Sequence, residues 1–278
     1  MPEPPQPIFT AHLFPNLEAK LIEILRSLSA QDWDKQTLAP RWKVKDVAAH
    51  LLDTQVRKLA AARQAPQSGH ANVLTPAALL TLINSLNAEG VRCYSQLSPN
   101  ELISRMEAAS KESAEYHRAL DPFAPAMFPV SWAGEDESAN WFDTAREFTE
   151  RWHHQQQIRL AVDQLGIMTR EFYHPVLDCF MRALPHTYHN VHTLEGTLLR
   201  FNISGECGGS WYLLKKENDW ALIVSPSGVV ISETTIPQEI AWRIFTKGIT
   251  REEAETQVRV SGIAGLGLHV LKMISIVG

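Results

Sequence analysis

Residues 42–53 of the 278-residue chain read WKVKDVAAHLLD, and they set one histidine among apolar side chains. Val44, Val47 and Leu51 recur at the spacing of one helical face, and His50 falls within that stripe. An inward-facing imidazole needs partners for its ring nitrogens. The pattern therefore leaves two interpretations of His50: a core histidine bonded to a carbonyl or carboxylate, or a metal ligand.

A second polar pair stands on a helical stripe further along the chain, where residues 150–162 read ERWHHQQQIRLAV. Glu150 and His154 are four residues apart, so their side chains lie over one another on a helix. The stripe continues with Ile158, which predicts that the pair faces the interior. A buried carboxylate beside an imidazole is costly unless both are paired or bind a cation. The alternatives are a simple ion pair, a solvated surface pair or two metal ligands.

The adjacent His153 is the alternative nitrogen ligand on this helix. It lies about 100° around the helix from His154 and aligns with Thr149 and Gln157 on a more polar face. The apolar continuation of the other stripe favours His154 as the inward-facing residue.

Together, His50, Glu150 and His154 offer two imidazole nitrogens and one carboxylate from two distant segments. Three protein ligands with an open position are typical of a catalytic zinc site. The same ligand types also form the facial triad of iron(II) oxygenases, but that triad usually sits on a β scaffold. Asp46 and Asp53 lie about one turn either side of His50, either as acceptors for its N–H or as exposed helix charges.

The distribution of glycine predicts where the fold changes. Residues 1–165 contain three glycines, whereas residues 166–278 contain eleven. Glycine is costly inside helices and common in turns, so the first part is predicted to be a bundle of long antiparallel helices. The predicted helices of this part are 14–28, 44–63 and 140–165, one that begins at Thr75-Pro76 and one that begins at a capping box formed by Ser98 and Glu101.

The second part alternates between apolar and polar residues in the manner of short strands. The predicted strands are 197–203, 211–214, 220–224 and 229–234. The predicted helices begin at Pro237, at a Thr250 capping box and at Leu266, the last one ending at Ile276. We expect an α+β layer, with a small antiparallel sheet, helices on one face and a connecting helix over residues 171–190.

The segments WKVKDVAAHLLDTQ and ERWHHQQQIRLAV, in this order and at this separation, resemble the DinB-like superfamily. The chain is most similar to its mycothiol-dependent maleylpyruvate isomerase group, because glutamate stands first in the pair where other members usually have histidine. The resemblance implies a DinB-like four-helix metal-binding bundle over residues 1–168. It also implies a sterol-carrier-like α+β domain over residues 169–278, and it assigns His50, Glu150 and His154 as metal ligands.

The same resemblance implies a chemistry. A divalent metal, expected to be zinc with nickel and other ions left open, would activate a low-molecular-weight thiol such as mycothiol. The protein would then be an isomerase or S-transferase for a small-molecule substrate. In the isomerase group an arginine of the second domain contributes to the reaction, and the candidates here are Arg243 and Arg259.

A non-enzymatic interpretation remains beside this one. The bundle could hold a structural metal while the second part, with its apolar tail LGLHVLKMISIVG, binds a small ligand or a partner. A closed site with four protein ligands would favour that interpretation, and an open position would oppose it.

The composition and charge argue against several classes of protein. The net charge is -5, from 26 basic and 31 acidic residues, without a basic patch, so we expect no nucleic-acid partner. Three widely separated cysteines predict no disulfide framework and a reducing compartment. The N-terminal residues lack the features of a signal peptide, and no apolar run is long enough for a membrane helix. We therefore expect a cytoplasmic monomer or homodimer.

One other histidine cluster stands out. His186, His189 and His192 follow Pro185 at a spacing of three residues. This pattern is typical of a polar segment at a domain junction, and a second metal site is the alternative.

Overall fold

The structure is a computed structural model that describes residues 3–64 and 76–276. Its first half is helical. The helices of this half are α1 (Phe14–Ser27), α2 (Ala30–Trp33), α3 (Val44–Gln64), α4 (Pro76–Tyr94), α5 (Pro99–Ala119) and α6 (Asn140–Ala161). Helices α1, α3, α5 and α6 pack around one another, and α4 lies against α3. This arrangement places the two segments singled out in the sequence on neighbouring helices, α3 and α6.

Local signals explain where these helices begin. The Ser98 hydroxyl accepts a hydrogen bond from the backbone N–H of Glu101, and the Glu101 carboxylate accepts one from the Ser98 N–H. Pro99 occupies the first turn, where a missing N–H costs nothing. The predicted capping box is therefore confirmed, as is the second one at Thr250 and Glu253.

The second half is a five-stranded sheet with helices. The strands are β1 (Leu198–Ser204), β2 (Gly209–Lys215), β3 (Trp220–Ile223), β4 (Val230–Pro237) and β5 (Arg259–Gly262), in the order β3-β2-β1-β4-β5. The helices are α7 (Arg170–Met181), α8 (Leu184–Tyr188), α9 (Gln238–Phe245), α10 (Arg251–Gln257) and α11 (Ala264–Leu268). The predicted fold class, a helical region followed by a small sheet with helices, is confirmed.

One strand pairing differs from the expected antiparallel sheet. Strand β1 pairs antiparallel with β2 and parallel with β4. Strands β1, β2 and β3 form a meander, so β3 ends at the same end of the sheet as β1. The chain then returns along residues 224–229, and β4 runs beside β1 in the same direction.

The structure differs from the predicted elements at four further places. Helix α6 ends at Ala161 rather than Leu165, because Asp163 adopts a left-handed conformation with φ 55°. The predicted connecting helix is two helices, with Pro185 starting the second. The predicted final helix is only α11 followed by a 3-10 turn (His269–Lys272), since Gly265 and Gly267 weaken it. Strand β5 was not predicted, because its four residues carry no clear alternation.

Helix α7 joins the bundle to the sheet. Tyr173 stacks on Trp152 of α6, with ring centroids 4.3 Å apart and planes at 1°. Its hydroxyl donates to the Gln238 carbonyl at 2.7 Å and accepts from the Trp242 N–H at 3.1 Å. A single cluster of buried apolar side chains consequently runs from Phe14 of α1 through α6 and α7 into the sheet.

No helix in the described part of the chain combines the length and the apolar character needed to cross a bilayer.

Candidate metal centre

The structure brings three sequence-predicted ligands together. Helix α3 supplies His50, and α6 supplies Glu150 and His154 from successive turns of one face. One potential ligand atom from each residue lies within 4.8 Å of the other two. Among residues 3–64 and 76–276, no other group of three histidine, cysteine or acidic side chains comes this close together.

The two imidazoles are buried and touch each other. The rings of His50 and His154 are 4.5 Å apart between centroids and meet edge to face at 74°. His154 Nε2 lies 3.2 Å from Glu150 Oε2. Trp42, immediately before α3, lies 4.6 Å from the His50 ring and 6.0 Å from the His154 ring. Glu150 is more exposed than His154, with 23% of its side chain accessible, so solvent reaches the group on that side.

Gln157 fixes the orientation of the neighbouring histidines. Its Oε1 lies 3.0 Å from His154 Nδ1, and its Nε2 lies 3.0 Å from His153 Nε2. With the amide in this orientation, His154 Nδ1 donates its proton to Gln157, and His153 Nε2 accepts one from it. The lone pair of a neutral His154 is then on Nε2, the nitrogen that faces Glu150. His153 Nε2 is already engaged with Gln157.

Burial keeps the nearby imidazoles neutral. Loss of solvation lowers the pKa of His50 well below its ordinary value, and the proximity of His154 and Arg57 adds to the effect. The pKa of His153 is lowered in the same way, by burial and then by His154. A neutral imidazole is the form that binds a metal ion.

These observations fit a divalent cation. His50 Nδ1 is buried without a hydrogen-bond partner, and an unpartnered buried nitrogen is costly unless something binds it. His154 Nε2 and Glu150 Oε2, two acceptors, face one another, and a cation or a proton between them removes the conflict. Ligand atoms about 2 Å from a metal lie within roughly 4 Å of each other, so small side-chain shifts would complete the arrangement.

The structure shows other roles for the two neighbouring aspartates. Asp46 Oδ2 accepts a hydrogen bond from the Lys43 N–H at the start of α3. Asp53 is buried and accepts from Arg57 Nε at 2.7 Å. Neither hydrogen bond involves His50, so the acceptor role considered for these aspartates is not seen, and Asp53 is not the exposed charge that was the alternative.

The two candidate arginines lie in different surroundings. Arg243 on α9 donates from Nε to the Gly248 carbonyl at 3.2 Å. It follows Trp242, whose ring is 6.0 Å from that of His153. Arg259 is exposed at the start of the outer strand β5. The guanidinium of Arg243 is therefore directed to the loop that follows α9, and it is the adjacent Trp242 that contacts His153.

The other histidine cluster does not form a ligand group in the described residues. His186 and His189 stack with centroids 5.1 Å apart, and His189 Nδ1 lies against the His186 carbonyl. The interpretation as a polar junction segment agrees with these contacts.

Sequence reasoning missed two residues of this region. Gln157 was noted only as part of a polar face, although its spacing from His153 and His154 puts it in reach of both. Trp242 carries no signal along the chain, because its contact with His153 arises from packing of the sheet region on the bundle.

The fold and the candidate site together define a class of protein: a helical bundle in which two histidines and one glutamate of neighbouring helices could hold a cation. The sequence matches the family model for the mycothiol maleylpyruvate isomerase N-terminal domain over residues 14–159. The chain belongs to this family. The match includes all three residues of the candidate centre and confirms the resemblance inferred from the two segments.

One solved structure supports the fold, and two others are less similar to it. A crystal structure of a histidine-to-alanine mutant of the mycothiol-dependent maleylpyruvate isomerase has a TM-score of 0.52 at 11% identity, covering 90% of this chain and 91% of that chain. Another structure of that isomerase has a TM-score of 0.46 at 11% identity, covering 84% and 86%. The UbiJ-SCP2 ubiquinone synthesis protein covers 36% of this chain and 94% of its own, at 14% identity and a TM-score of 0.26. At these identities the first match supports the shared fold alone. No curated protein matched the sequence.

Proposed function

We propose that this protein is a metal-dependent thiol enzyme, an isomerase or S-transferase, with His50, Glu150 and His154 holding a divalent cation. The observation that carries the proposal is the convergence of these three side chains within 4.8 Å. Family membership supports the thiol, since the family is described by mycothiol. Zinc is the ion that best suits a set of two imidazoles and one carboxylate. The elemental analysis described below distinguishes it from nickel and other divalent ions.

Each residue has a defined task in this proposal. The imidazoles of His50 and His154 each offer a ring nitrogen as a ligand, and Glu150 offers the compensating negative charge. Gln157 holds the proton of His154 on Nδ1 and so keeps Nε2 available. Trp42 covers the two rings and limits the access of water. The partly exposed side of Glu150 is the route by which a thiol would arrive.

When bound, a divalent cation lowers the pKa of a coordinated thiol and so supplies the nucleophilic thiolate. In the isomerase version, the thiol adds to a cis double bond conjugated to a carbonyl group. Rotation about the resulting single bond and loss of the thiol then give the trans product. In the transferase version, the thiol displaces a leaving group instead.

A carboxylate-bearing substrate calls for a cation from the protein. We propose that the second domain, residues 169–278, supplies it from Arg243 or Arg259, since guanidinium groups bind carboxylates through paired hydrogen bonds. The packing of Trp242 against His153 favours Arg243. An Arg243→Gln variant that raises KM for a dicarboxylate more than Arg259→Gln does would support this choice.

The metal assignment is tested by elemental analysis of the purified full-length protein. We expect one divalent ion per chain in the wild type and its loss in the His50→Ala and His154→Ala variants. His153→Ala is the matched control, because His153 Nε2 is engaged with Gln157, and it should retain the ion. Full retention in His50→Ala would reject the ligand assignment.

The thiol is tested on the metal-loaded protein. Mycothiol should raise the Tm of the loaded wild type and leave the His50→Ala variant unchanged. Turnover of maleylpyruvate in the presence of mycothiol, followed by absorbance, tests the isomerase version directly. A protein that binds metal stoichiometrically yet responds to no thiol would instead be a metal-containing binding protein.

A further inference from the structure

The loop between α2 and α3, residues 34–43, carries Trp42 to the candidate metal centre. The ring of Trp42 lies 4.6 Å from that of His50 and 6.0 Å from that of His154, measured between centroids. The first turn of α3 uses the Lys43 carbonyl, which accepts from the Val47 N–H at 3.0 Å, so Trp42 precedes the helical ladder. The position of its ring over the two imidazoles therefore depends on how the loop is held.

The carbonyl of Trp42 is the centre of a group of hydrogen bonds. It accepts from the Thr37 N–H at 3.2 Å, from the Thr37 hydroxyl at 2.7 Å and from the Gln36 side-chain amide at 2.9 Å. The Trp42 N–H donates to the Ala39 carbonyl at 3.0 Å. A carbonyl oxygen has two lone pairs, so the acceptor capacity of this one is fully used. These bonds from Thr37 and Gln36 to the Trp42 carbonyl are called the Trp42 clamp below.

The same two residues also fix the rest of the loop. Gln36 forms an isolated antiparallel bridge with Lys43, and its side-chain amide donates to the Ala39 carbonyl at 2.8 Å. The Thr37 hydroxyl accepts from the Ala39 N–H at 3.2 Å. Thr37 is buried, so water competes little for its hydrogen bonds, whereas Gln36 is exposed. The loop thus has an internal hydrogen-bond framework of its own.

Packing fixes the loop from two directions. Leu38 packs against the apolar cluster that both halves share, and Trp42 packs against a cluster formed by the helices of the first half. A movement of Trp42 away from the imidazoles would break both the clamp and these contacts. Segments with many such contacts open rarely, so the loop is a fixed part of the site.

We propose that Thr37 and Gln36 are positioning residues that hold Trp42 as a fixed wall over His50 and His154, and that this wall slows the loss of the bound cation. The proposal rests on the cation site proposed above. A cation leaves when water or another ligand replaces an imidazole, and the Trp42 ring covers the imidazoles against that approach. Glu150, with 23% of its side chain accessible, lies on the open side. The wall therefore leaves the route of the thiol open while it retains the metal.

The clamp is tested on the metal-free, full-length protein by fluorine NMR after labelling with fluorotryptophan. The chain has eight tryptophans, so the Trp42 resonance is assigned from its absence in Trp42→Phe. Thr37→Val keeps the shape of the side chain but removes the hydroxyl, and it should shift and broaden the Trp42 resonance. Thr37→Ser restores the hydroxyl and should return the resonance to its wild-type position. An unchanged resonance in Thr37→Val would overturn the clamp.

A second variant covers the case in which Thr37→Val does not fold. Gln36 is exposed, so Gln36→Leu leaves the interior undisturbed, and it should also shift the Trp42 resonance. Gln31→Leu, at an exposed position in α2, is the matched control and should leave the resonance unchanged. Equal spectra for these two variants would remove Gln36 from the clamp.

Retention of the cation is tested by the rate at which zinc passes from the loaded protein to a chromophoric chelator. Trp42→Leu and Thr37→Val should release zinc about tenfold faster than the wild type, which is the low end of what partners of histidine ligands contribute to metal affinity. Thr37→Ser should release it at the wild-type rate. Equal rates in all four proteins would overturn the retention role. A wild type that binds no zinc would overturn the proposed function together with the retention role, whereas the fluorine spectra decide on the clamp in either case.

Discussion

The imidazole edge of His50 faces the ring of His154 at a centroid separation of 4.5 Å, although the two residues come from different helices. This contact forms only when α3 and α6 are correctly aligned along their lengths. A change that shifts one helix along the other would separate the rings. The candidate centre therefore depends on packing and hydrogen bonding around it as well as on its three ligands.

The first prediction concerns Gln157. Replacing it with leucine should lower metal affinity about 10- to 100-fold, because partners that orient a histidine ligand typically contribute that much. Metal titration of Gln157→Leu measures the effect. Gln257→Leu, at an exposed position on α10, is the matched control and should bind metal normally. Equal affinity in both variants would show that Gln157 does not orient His154.

The second prediction concerns a buried ion network beside the centre. Lys58 Nζ lies 2.5 Å from Asp143 Oδ2 and 3.6 Å from Glu147 Oε1, and all three residues are buried. Burial alone would raise the pKa of Glu147, but Arg146, Lys58 and Arg151 hold it well below its usual range. Lys58→Met should lower the free energy of unfolding by about 3–5 kcal/mol, because it removes one partner from a buried network and leaves Asp143 and Glu147 to the arginines Arg146 and Arg151.

Urea denaturation measures this loss, with Arg26→Met as the control. Arg26 pairs with Glu107 on the surface, and exposed pairs typically contribute at most about 1 kcal/mol. A Lys58→Met variant as stable as Arg26→Met would show that the network tolerates a missing cation.

The third prediction is a pH dependence of stability. Burial lowers the pKa of His117 to about 3 from its ordinary 6.5. Between these two values the unfolded chain binds a proton that the folded chain does not, so the free energy of unfolding falls as the pH is lowered. The expected loss is about 1.4 kcal/mol per pH unit from this residue.

Denaturation curves at pH 7.5 and pH 5 test this expectation. His117→Phe should show a shallower fall in stability than the wild type, since the titrating group is gone. His12→Phe, at an exposed position, should keep the wild-type slope. Parallel curves for all three proteins would contradict the assignment.

The fourth prediction concerns the contact between α3 and α4. A Cβ at Gly90 would lie 2.1 Å from Cγ of Asp53, whose carboxylate is held by Arg57. Gly90→Ala should therefore lower the free energy of unfolding by about 1–3 kcal/mol, although alanine is the better helix former. Gly265→Ala in α11 is the control, because nothing lies within 4 Å of its added Cβ, and it should be neutral or stabilising.

Much of this structure could be predicted from the sequence. Apolar periodicity or a capping box predicts helices α1, α3 and α5, and the structure contains all three. These patterns are local in sequence, so they do not depend on contacts with distant residues. The convergence of His50 with Glu150 and His154 was predicted from the resemblance of the two segments to the isomerase group, whereas their spacing alone left an ion pair and a core histidine as alternatives.

Other features depend on contacts that no local pattern records. The parallel pairing of β1 with β4 follows from the path of the chain after β3. Asp53 was interpreted as an exposed charge or a histidine partner, whereas α4 buries it against Gly90.

Tyr173 and the apolar cluster around it have a consequence for how the molecule comes apart. Because Phe14, Trp152 and Trp242 share one cluster, part of the interior is common to both halves, although a second cluster, which includes Val47 and Leu102, lies wholly within the helical half. Heat or urea should dismantle both in a single cooperative step. Expressed alone, the helical half would keep its own cluster but expose Trp152, which stacks on Tyr173 in the full chain, so it should be less stable than the full chain.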